Sequence, residues 1–220
     1  MAILARNPFS NTVNTVANTA AVVYTAPSTV TYSIVTLFTL NTNTANASVT
    51  IGISVDTTLD AVDYIQYNEV LAPSQGIQRT QLILKPGESI IVLSDSGNVN
   101  VRASGVEYQA NNIVVDTNSV ILSTASTNLI HTAPTNGIVE LSDVNIVNYS
   151  TAAVDISLAV TAASAPSLAA GHYVEYNRTI AASGLEILTC GIVVPGENVF
   201  METNTDAAVS VRIASIVVTG

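Results

Sequence analysis

The sequence has few of the residues on which disulfide-stapled domains and nucleic-acid-binding proteins depend. It contains one cysteine, so no disulfide can form within the chain, and a stapled secreted domain is excluded. It contains only six Lys and Arg against 16 Asp and Glu, and the basic residues are scattered singly. Because a nucleic-acid groove needs clustered cations, we expect no nucleic-acid partner. The net charge of −10 also disfavours binding to anionic membranes.

Long apolar runs are missing as well. No run approaches the roughly 20 apolar residues of a membrane span. The first segment, MAILARNPFSN, has too short an apolar stretch for a signal peptide, so we expect synthesis in the cytoplasm without a secretory route. Hydrophobic residues nevertheless make up 48% of the chain, which is enough for a packed core. Only 10% of residues are charged. Such a surface suits a protein that contacts others, although it is also what a Thr/Asn-rich β-protein has.

The 220 residues consist of two copies of one unit of about 110 residues. Five strings recur in the same order, at offsets of 105 to 110 residues. One loop is four residues longer in the second copy, which accounts for most of the drift in offset. The matched strings are YTAP and HTAP, SVTIGISV and AVDISLAV, YIQYN and YVEYN, KPGES and VPGEN, and VNVRAS and AVSVRIA. Because scaffold strings recur as well as polar ones, a duplicated structural unit explains the pattern better than a binding site used twice.

The strings alternate apolar and polar residues with a period of two, which predicts half-buried strands. Seven or eight short strands per copy, separated by turns, indicate an all-β protein with two tandem antiparallel β-sandwiches. The sandwiches are either immunoglobulin-like or jelly-roll-like. We place the sandwich domains at residues 21–107 and 129–220. The less patterned residues 1–20 and 108–128 are predicted to be an N-terminal arm and a linker or second arm; each could instead add an edge strand to its sandwich.

Two repeated features are predicted to be structural. Pro86-Gly87 and Pro195-Gly196 lie between apolar runs and suit type II turns, in which Gly accepts a positive φ. The tyrosines of the YxxYN strings recur with the scaffold, and we therefore interpret them as repeated core aromatics rather than as a ligand site. They are Tyr64, Tyr67, Tyr173 and Tyr176.

The residues offer little support for catalysis. His131 takes the place of Tyr24 in the repeat, and neither it nor His172 belongs to a metal-binding or nucleophile motif. Cys190 is expected to be a small buried hydrophobe. The nearest approach to a calcium site is Asp56, Asp60 and Asp63, but their counterpart in the second copy has no acid. We predict no catalytic residue, no metal and no cofactor, and hence a protein that is not an enzyme.

The two-copy pattern, with YTAP/HTAP, YIQYN/YVEYN and KPGES/VPGEN ahead of a final VNVRAS/VSVRIA strand, resembles small structural proteins of tailed-bacteriophage virions. These are proteins that decorate or cement the head or build the neck and tail. The resemblance implies location in the virion and contacts with other virion proteins and with copies of the same chain, in a homo-oligomer. The alternative is a fibre module that binds a host receptor or a glycan.

Overall fold

The computed structural model describes residues 2–123, 127–135, 137–162, 168–188, 191–206 and 208–219. The chain divides between Asn111 and Asn112 into two compact units. Each unit contains two antiparallel sheets and its own hydrophobic core.

The first unit contains eight strands in two four-stranded sheets. One sheet has the order β1-β8-β3-β6 and the other the order β2-β7-β4-β5, with all pairs antiparallel. A 3₁₀ turn at Ala61–Asp63 precedes β5. The strands are β1 (Ala2–Asn14), β2 (Ala21–Thr25), β3 (Tyr32–Asn41), β4 (Ala47–Ser54), β5 (Tyr64–Leu71), β6 (Gly76–Leu84), β7 (Ser89–Ser94) and β8 (Val99–Asn111).

The second unit repeats this arrangement. Its sheets have the orders β9-β17-β11-β14 and β10-β16-β12-β13, and β15 also pairs with β11, so β14 and β15 together take the place of β6. A 3₁₀ turn at Ala170–His172 precedes β13. The strands are β9 (Ile113–Ile121), β10 (Asn128–Thr132), β11 (Gly137–Asn148), β12 (Val154–Thr161), β13 (Tyr173–Ile180), β14 (Leu185–Leu188), β15 (Gly191–Val193), β16 (Asn198–Thr203) and β17 (Val209–Thr219).

The predicted fold class, two tandem antiparallel β-sandwiches, is confirmed, and the strand order decides between the two kinds of sandwich. With β14 and β15 counted together as the sixth strand of the second unit, the first, last, third and sixth strands of each unit form one sheet, and the second, seventh, fourth and fifth form the other. This is the eight-stranded jelly roll built from two Greek keys, not the immunoglobulin arrangement.

Alternation along the strands places the core between the sheets. In β3, Val35, Leu37 and Thr39 are buried, whereas Phe38 and Leu40 on the opposite face are exposed. Successive side chains of a strand point to opposite faces, so a period of two in the sequence becomes one apolar face per sheet. Burial of these aliphatic side chains supplies most of the favourable free energy of folding.

The predicted N-terminal arm is wrong for the residues that form β1. This strand pairs with β8 of its own sheet along its whole length, from Ala2 opposite Asn111 to Asn14 opposite Asn100. Its Phe9 and Val13 pack against the core of the first unit. The alternative, an added edge strand, is what the structure has, because these two apolar side chains lie on the same face and complete the sandwich.

The predicted linker at residues 108–128 is also wrong for most of its length. Residues up to Asn111 continue β8, and Ile113–Ile121 form β9, which pairs with β17. The boundary between the units therefore lies at Asn111 and Asn112, and the strands Ala2–Asn14 and Ile113–Ile121 belong to the sandwiches. Asn112, with φ of +61°, has the left-handed conformation that Asn tolerates better than most residues.

Candidate functional site

The repeated Pro-Gly-Glu string forms a turn closed by its own glutamate. Gly87 and Gly196 have φ of +86° and +87°. The N–H of Glu88 donates to the Lys85 carbonyl at 3.1 Å, and its side-chain Oε2 accepts from the Lys85 N–H at 2.9 Å. Glu197 makes the same two bonds with Val194, at 3.1 and 2.9 Å. The glutamates are thus used inside the turns.

The same turn anchors the repeated Thr-Ala-Pro string. The N–H of Ala26 donates to the Glu88 carbonyl at 2.9 Å, and the N–H of Ala133 donates to the Glu197 carbonyl at the same distance. Two strings about 60 residues apart in the sequence therefore recur together because they form one contact.

The asparagine of each YxxYN string forms a β-bulge. Asn68 and Asn177 have φ of +50° and +51°, and the pairing of β5 and β13 with their neighbours shifts register at these points. The Asn68 N–H donates to Thr50 Oγ1 at 3.2 Å, and the Asn177 N–H donates to Ser157 Oγ at 3.0 Å. Asn is repeated here because it accepts the left-handed conformation that the bulge requires.

The tyrosines of these strings are not core residues. The ring centroids of Tyr64 and Tyr67 lie 5.1 Å apart, and those of Tyr173 and Tyr176 lie 5.0 Å apart. Three of the four side chains are half-buried, and Tyr176 is 66% exposed. The interpretation as core aromatics is corrected to surface aromatic pairs. Each pair sits at the start of an edge strand, where the ladder has a neighbour on one side only.

A repeated buried amide was missed by the sequence analysis. The Nδ2 of Asn148 donates to the carbonyls of Ala152, Ile180 and Ala181 at 2.7–3.2 Å. Asn41 makes the equivalent three bonds in the first unit, at 2.8–3.3 Å. Both side chains are fully buried. Their signal in the sequence is an asparagine at the end of the same strand in both copies.

One pair of contacting residues occupies equivalent positions in the two units but has different side chains in each. In the first unit Phe9 stacks on Tyr24, with ring centroids 4.0 Å apart. Burial raises the pKa of Tyr24 to about 12, and its hydroxyl is 2.7 Å from Ser33 Oγ. The equivalent positions of the second unit hold Asp116 and His131, whose Oδ2 and Nδ1 are 3.5 Å apart.

His131 is buried at this position. Its Nε2 has no hydrogen-bond partner among the described residues. Burial lowers the pKa of His131, and the Asp116 carboxylate opposes that shift. The surrounding hollow is lined by Asp116, Thr117, Asn118, Leu129, Ile130, His131 and Thr132.

The second unit has a groove beside its tyrosine pair. Tyr173 donates its hydroxyl to Glu202 Oε2 at 3.0 Å, and desolvation together with this bond raises the pKa of Tyr173. Asp155 accepts from Thr179 Oγ1 at 2.6 Å and from Asn204 Nδ2 at 3.1 Å. The groove is lined by Asp155, Ser157, Tyr173, Tyr176, Asn177, Glu202, Thr203 and Asn204.

The three aspartates considered for calcium do not converge on a site. Asp56 accepts from the N–H and hydroxyl of Thr58, and Asp63 Oδ2 accepts from the Asp60 N–H at 3.0 Å. These bonds cap a loop and the 3₁₀ turn. Among the described residues, no three His, Cys, Asp or Glu side chains are grouped closely enough to hold a metal ion.

The remaining candidates have local roles or fall outside the description. His172 Nδ1 accepts from the Ala169 N–H at 3.1 Å and so closes the second 3₁₀ turn. Cys190 lies outside the described residues. In the described part of the chain, no helix has the length and hydrophobicity needed to cross a bilayer.

Comparison with known proteins gives only distant structural likenesses. No family model and no curated protein matches the sequence. The MCP of STIV (Sulfolobus Turreted Icosahedral Virus) is similar over 97% of this chain and 96% of its own, with 8% identity and a TM-score of 0.32. A chain of the IBDV viral particle is similar over 100% and 70%, with 10% identity and a TM-score of 0.32. The PBSX exported protein XepA is similar over 97% and 86%, with 10% identity and a TM-score of 0.30. At these values the function has to be argued from the chain's own residues.

Proposed function

We propose that this chain is a non-enzymatic structural protein of a phage virion. It acts through protein–protein contacts with copies of itself and with other virion proteins. Its role is to decorate or cement the capsid, or to form part of the neck or tail. It is made in the host cytoplasm and becomes part of the particle, and it needs no cofactor.

The observation that carries this proposal is that the polar side chains repeated in both copies form hydrogen bonds within the fold. Glu88 and Glu197 close turns, and Asn41 and Asn148 hold three carbonyls each. These polar residues, which both copies share, therefore stabilise turns and strand ends of the fold. Selection for a rigid, duplicated scaffold is expected of a building block, whereas an enzyme would keep a reactive constellation in at least one copy.

The surface agrees with a role in assembly. Protein interfaces have cores enriched in aromatic residues and depleted of charge. On the outer face of the first unit, Phe38 and Leu40 are 44% and 42% exposed, beside Gly76 and Gln78. We call Phe38 and Leu40 the outer-face pair. Other large apolar side chains are also exposed, among them Val70, Leu129, Val174, Ile187 and Val194.

The direct test is to locate the chain in purified particles. Mass spectrometry of virions of the encoding virus should detect it in many copies per particle, and labelled antibody should bind at one morphological site. Its absence from purified, infectious particles would contradict the proposal.

A second test concerns the contact itself. Particles assembled with Phe38→Asp and Leu40→Asp together should incorporate fewer copies, because two charges would have to be desolvated in the contact. The control is Val194→Asp, an exposed apolar residue in a turn of the second unit. Equal incorporation of all three proteins would remove the outer-face pair from the contact.

A further inference from the structure

We propose that the groove beside Tyr176 binds a neutral, hydroxyl-rich ligand, namely a sugar of an uncharged glycan. This goes beyond the structural role, and it holds or fails independently of assembly. The groove lies on the outer face of the sheet β10-β16-β12-β13, and its residues come from β12, β13 and the end of β16.

The second copy has different side chains from the first on this face of the sheet, although both copies have the β-bulge at the YxxYN asparagine. Asp155 stands where the first unit has Ser48, and Glu202 stands where it has Leu93. These equivalences follow the strand register, in which Thr50 corresponds to Ser157, because both accept the N–H of the bulge asparagine. This register differs by two residues from the match of SVTIGISV with AVDISLAV in the sequence. The second unit thus has two carboxylates on a backbone that forms the same bulge as in the first unit. The first unit folds without them, so the fold does not require these carboxylates.

The aromatic pair also differs. In the first unit the rings of Tyr64 and Tyr67 are stacked, with 26° between their planes. In the second unit the planes of Tyr173 and Tyr176 are 66° apart, and most of the Tyr176 ring is exposed. Tyr173 is fixed by its bond to Glu202, so it supports the exposed ring from its edge. An exposed, supported ring offers an apolar surface at a low cost in side-chain entropy.

The carboxylates of the groove are oriented but not saturated. Each oxygen of Asp155 accepts one hydrogen bond, from Thr179 and Asn204, and each oxygen of Glu202 accepts one, from Thr127 and Tyr173. A carboxylate has about four lone-pair sites, so each group can still accept from ligand hydroxyls. Internal bonds of this kind hold the acceptors in place before the ligand arrives.

The amide of Asn177 adds donors to these acceptors. In the first unit Asn68 Oδ1 accepts from Ser48 Oγ at 2.8 Å. With Asp155 in place of that serine, the side-chain amide of Asn177 has no hydrogen bond within the described residues and lines the groove. The groove therefore combines acceptors, a free amide and an aromatic surface.

This combination selects the ligand class. A pyranose has hydroxyls that both donate and accept, and a face of C–H groups that can pack on a ring. An ammonium ion could contact Tyr176 and the carboxylates, but it only donates and would leave the Asn177 donors unused. An acidic sugar would be repelled by Asp155 and Glu202 and by the net charge of −10.

The test is binding of the full-length protein to an array of immobilised glycans that includes uncharged, sialylated and sulfated members, with affinities measured by calorimetry for the glycans that bind. We expect binding to uncharged glycans only. Tyr176→Ala and Asn177→Gly should each weaken it by about tenfold or more. Glycine at 177 keeps the positive φ of the bulge, so this variant removes the amide without disturbing the strand.

The matched controls are Tyr67→Ala and Asn68→Gly in the first unit, which should leave the affinity unchanged. Three results would overturn the proposal. They are binding to none of the uncharged glycans, binding that the two second-unit variants do not weaken, and a preference for acidic glycans. A competing preference for alkylammonium compounds, tested by calorimetry with tetramethylammonium, would also overturn it.

Discussion

At the scale of single residues, the buried amide of Asn148 connects a strand end to the nearby Ala152 and to Ile180 and Ala181, which are 32 and 33 residues away in sequence. Replacing it by alanine removes the amide group that donates to three carbonyls, among them the buried contact to Ile180. A buried polar group that loses its partner costs about 1–3 kcal/mol, so we expect Asn148→Ala to lower the free energy of unfolding by about 2–3 kcal/mol. Urea denaturation of the native and variant proteins measures this change in the free energy of unfolding.

The control for this prediction is the same change in the other copy. Asn41→Ala should destabilise the first unit by a similar amount, because its three bonds are equivalent. A loss below about 0.5 kcal/mol in both variants would show that water replaces the amide, and the bonds would then not stabilise the fold.

The turn glycines allow a test of backbone conformation alone. A Cβ at Gly196 would meet no atom within 4 Å, but the φ of +87° is one that side chains rarely adopt. We expect Gly196→Ala to destabilise the protein by about 1 kcal/mol. Gly171→Ala is the control, because a Cβ there is equally free of contacts and φ is not in the strained range. Equal melting temperatures for the two variants would contradict the prediction.

The buried His131 predicts a dependence of stability on pH. Burial lowers the pKa of His131 in the folded state, so below the ordinary value of 6.5 the unfolded chain binds more protons than the folded one. Stability is therefore expected to fall as pH drops through 6.5, and this contribution is constant above it. Asp116, the charged group that faces the ring, reduces the effect without reversing its sign.

The first unit supplies the variant that tests this. Asp116→Phe combined with His131→Tyr installs the stacked pair that Phe9 and Tyr24 form. We expect the melting temperature of this double variant to depend less on pH between about 5 and 6.5 than that of the native protein. A double variant with the native slope would rule out His131 as the source.

At the scale of strands, periodicity predicted which segments are extended, but not which strands they pair with. The alternation in β4 and β12 is visible in the sequence because one face of each sheet is buried. In β1, Phe9 and Val13 pack on the core, and the polar residues between them obscure the alternation. Its partner, β8, lies about 90 residues further along, and no local signal records that pairing.

The candidate site was predictable to a smaller extent. The Pro-Gly turns follow from local chemistry, and the positive φ of both glycines agrees with it. The groove of the second unit depends on side chains from three strands that are neighbours only after folding. The exposure of Tyr176 could not be read from YVEYN, because its first-unit counterpart in YIQYN is half-buried on the same frame.

The role of β1 leads to a prediction about deletion. Without residues 2–14, Tyr24 loses its stacking partner and the core loses Phe9 and Val13. We expect the truncated protein to lose protection of the first unit in hydrogen exchange, while the strands of the second unit keep theirs. A flexible arm used only for docking would instead leave the protection of both units unchanged. Phe9→Ala should give a weaker form of the same result.

At the scale of the whole molecule, the two units share the same backbone features and differ in their surface side chains. Both units retain the bulge asparagines, the glutamate-closed turns and the buried amides. The outer-face pair of the first unit and the groove of the second unit have no counterpart of the same character in the other unit. A chain of this kind can present two different surfaces, one on each unit, which suits a component that joins unlike neighbours.

The charge of the whole chain gives a test of how copies associate. Each chain of 220 residues carries a net charge of −10, so separate chains repel one another at neutral pH. Salt shortens the Debye length from about 10 Å at 0.1 M to about 3 Å at 1 M, and it does not weaken apolar contacts. Self-association through the outer-face pair is therefore expected to increase with NaCl concentration, whereas docking on a basic partner would weaken.

Light scattering at several protein concentrations, from about 0.05 to 1 M NaCl at pH 7, measures this dependence. The average mass should rise with salt for the native protein and should rise less for the Phe38→Asp, Leu40→Asp variant. Val194→Asp is the control for added charge, since it changes the net charge at an exposed residue of the other unit. A mass that stays at that of one chain under all conditions would contradict self-assembly. The partner would then be a different virion protein, and its complex with this chain should weaken as salt is added if that partner is basic.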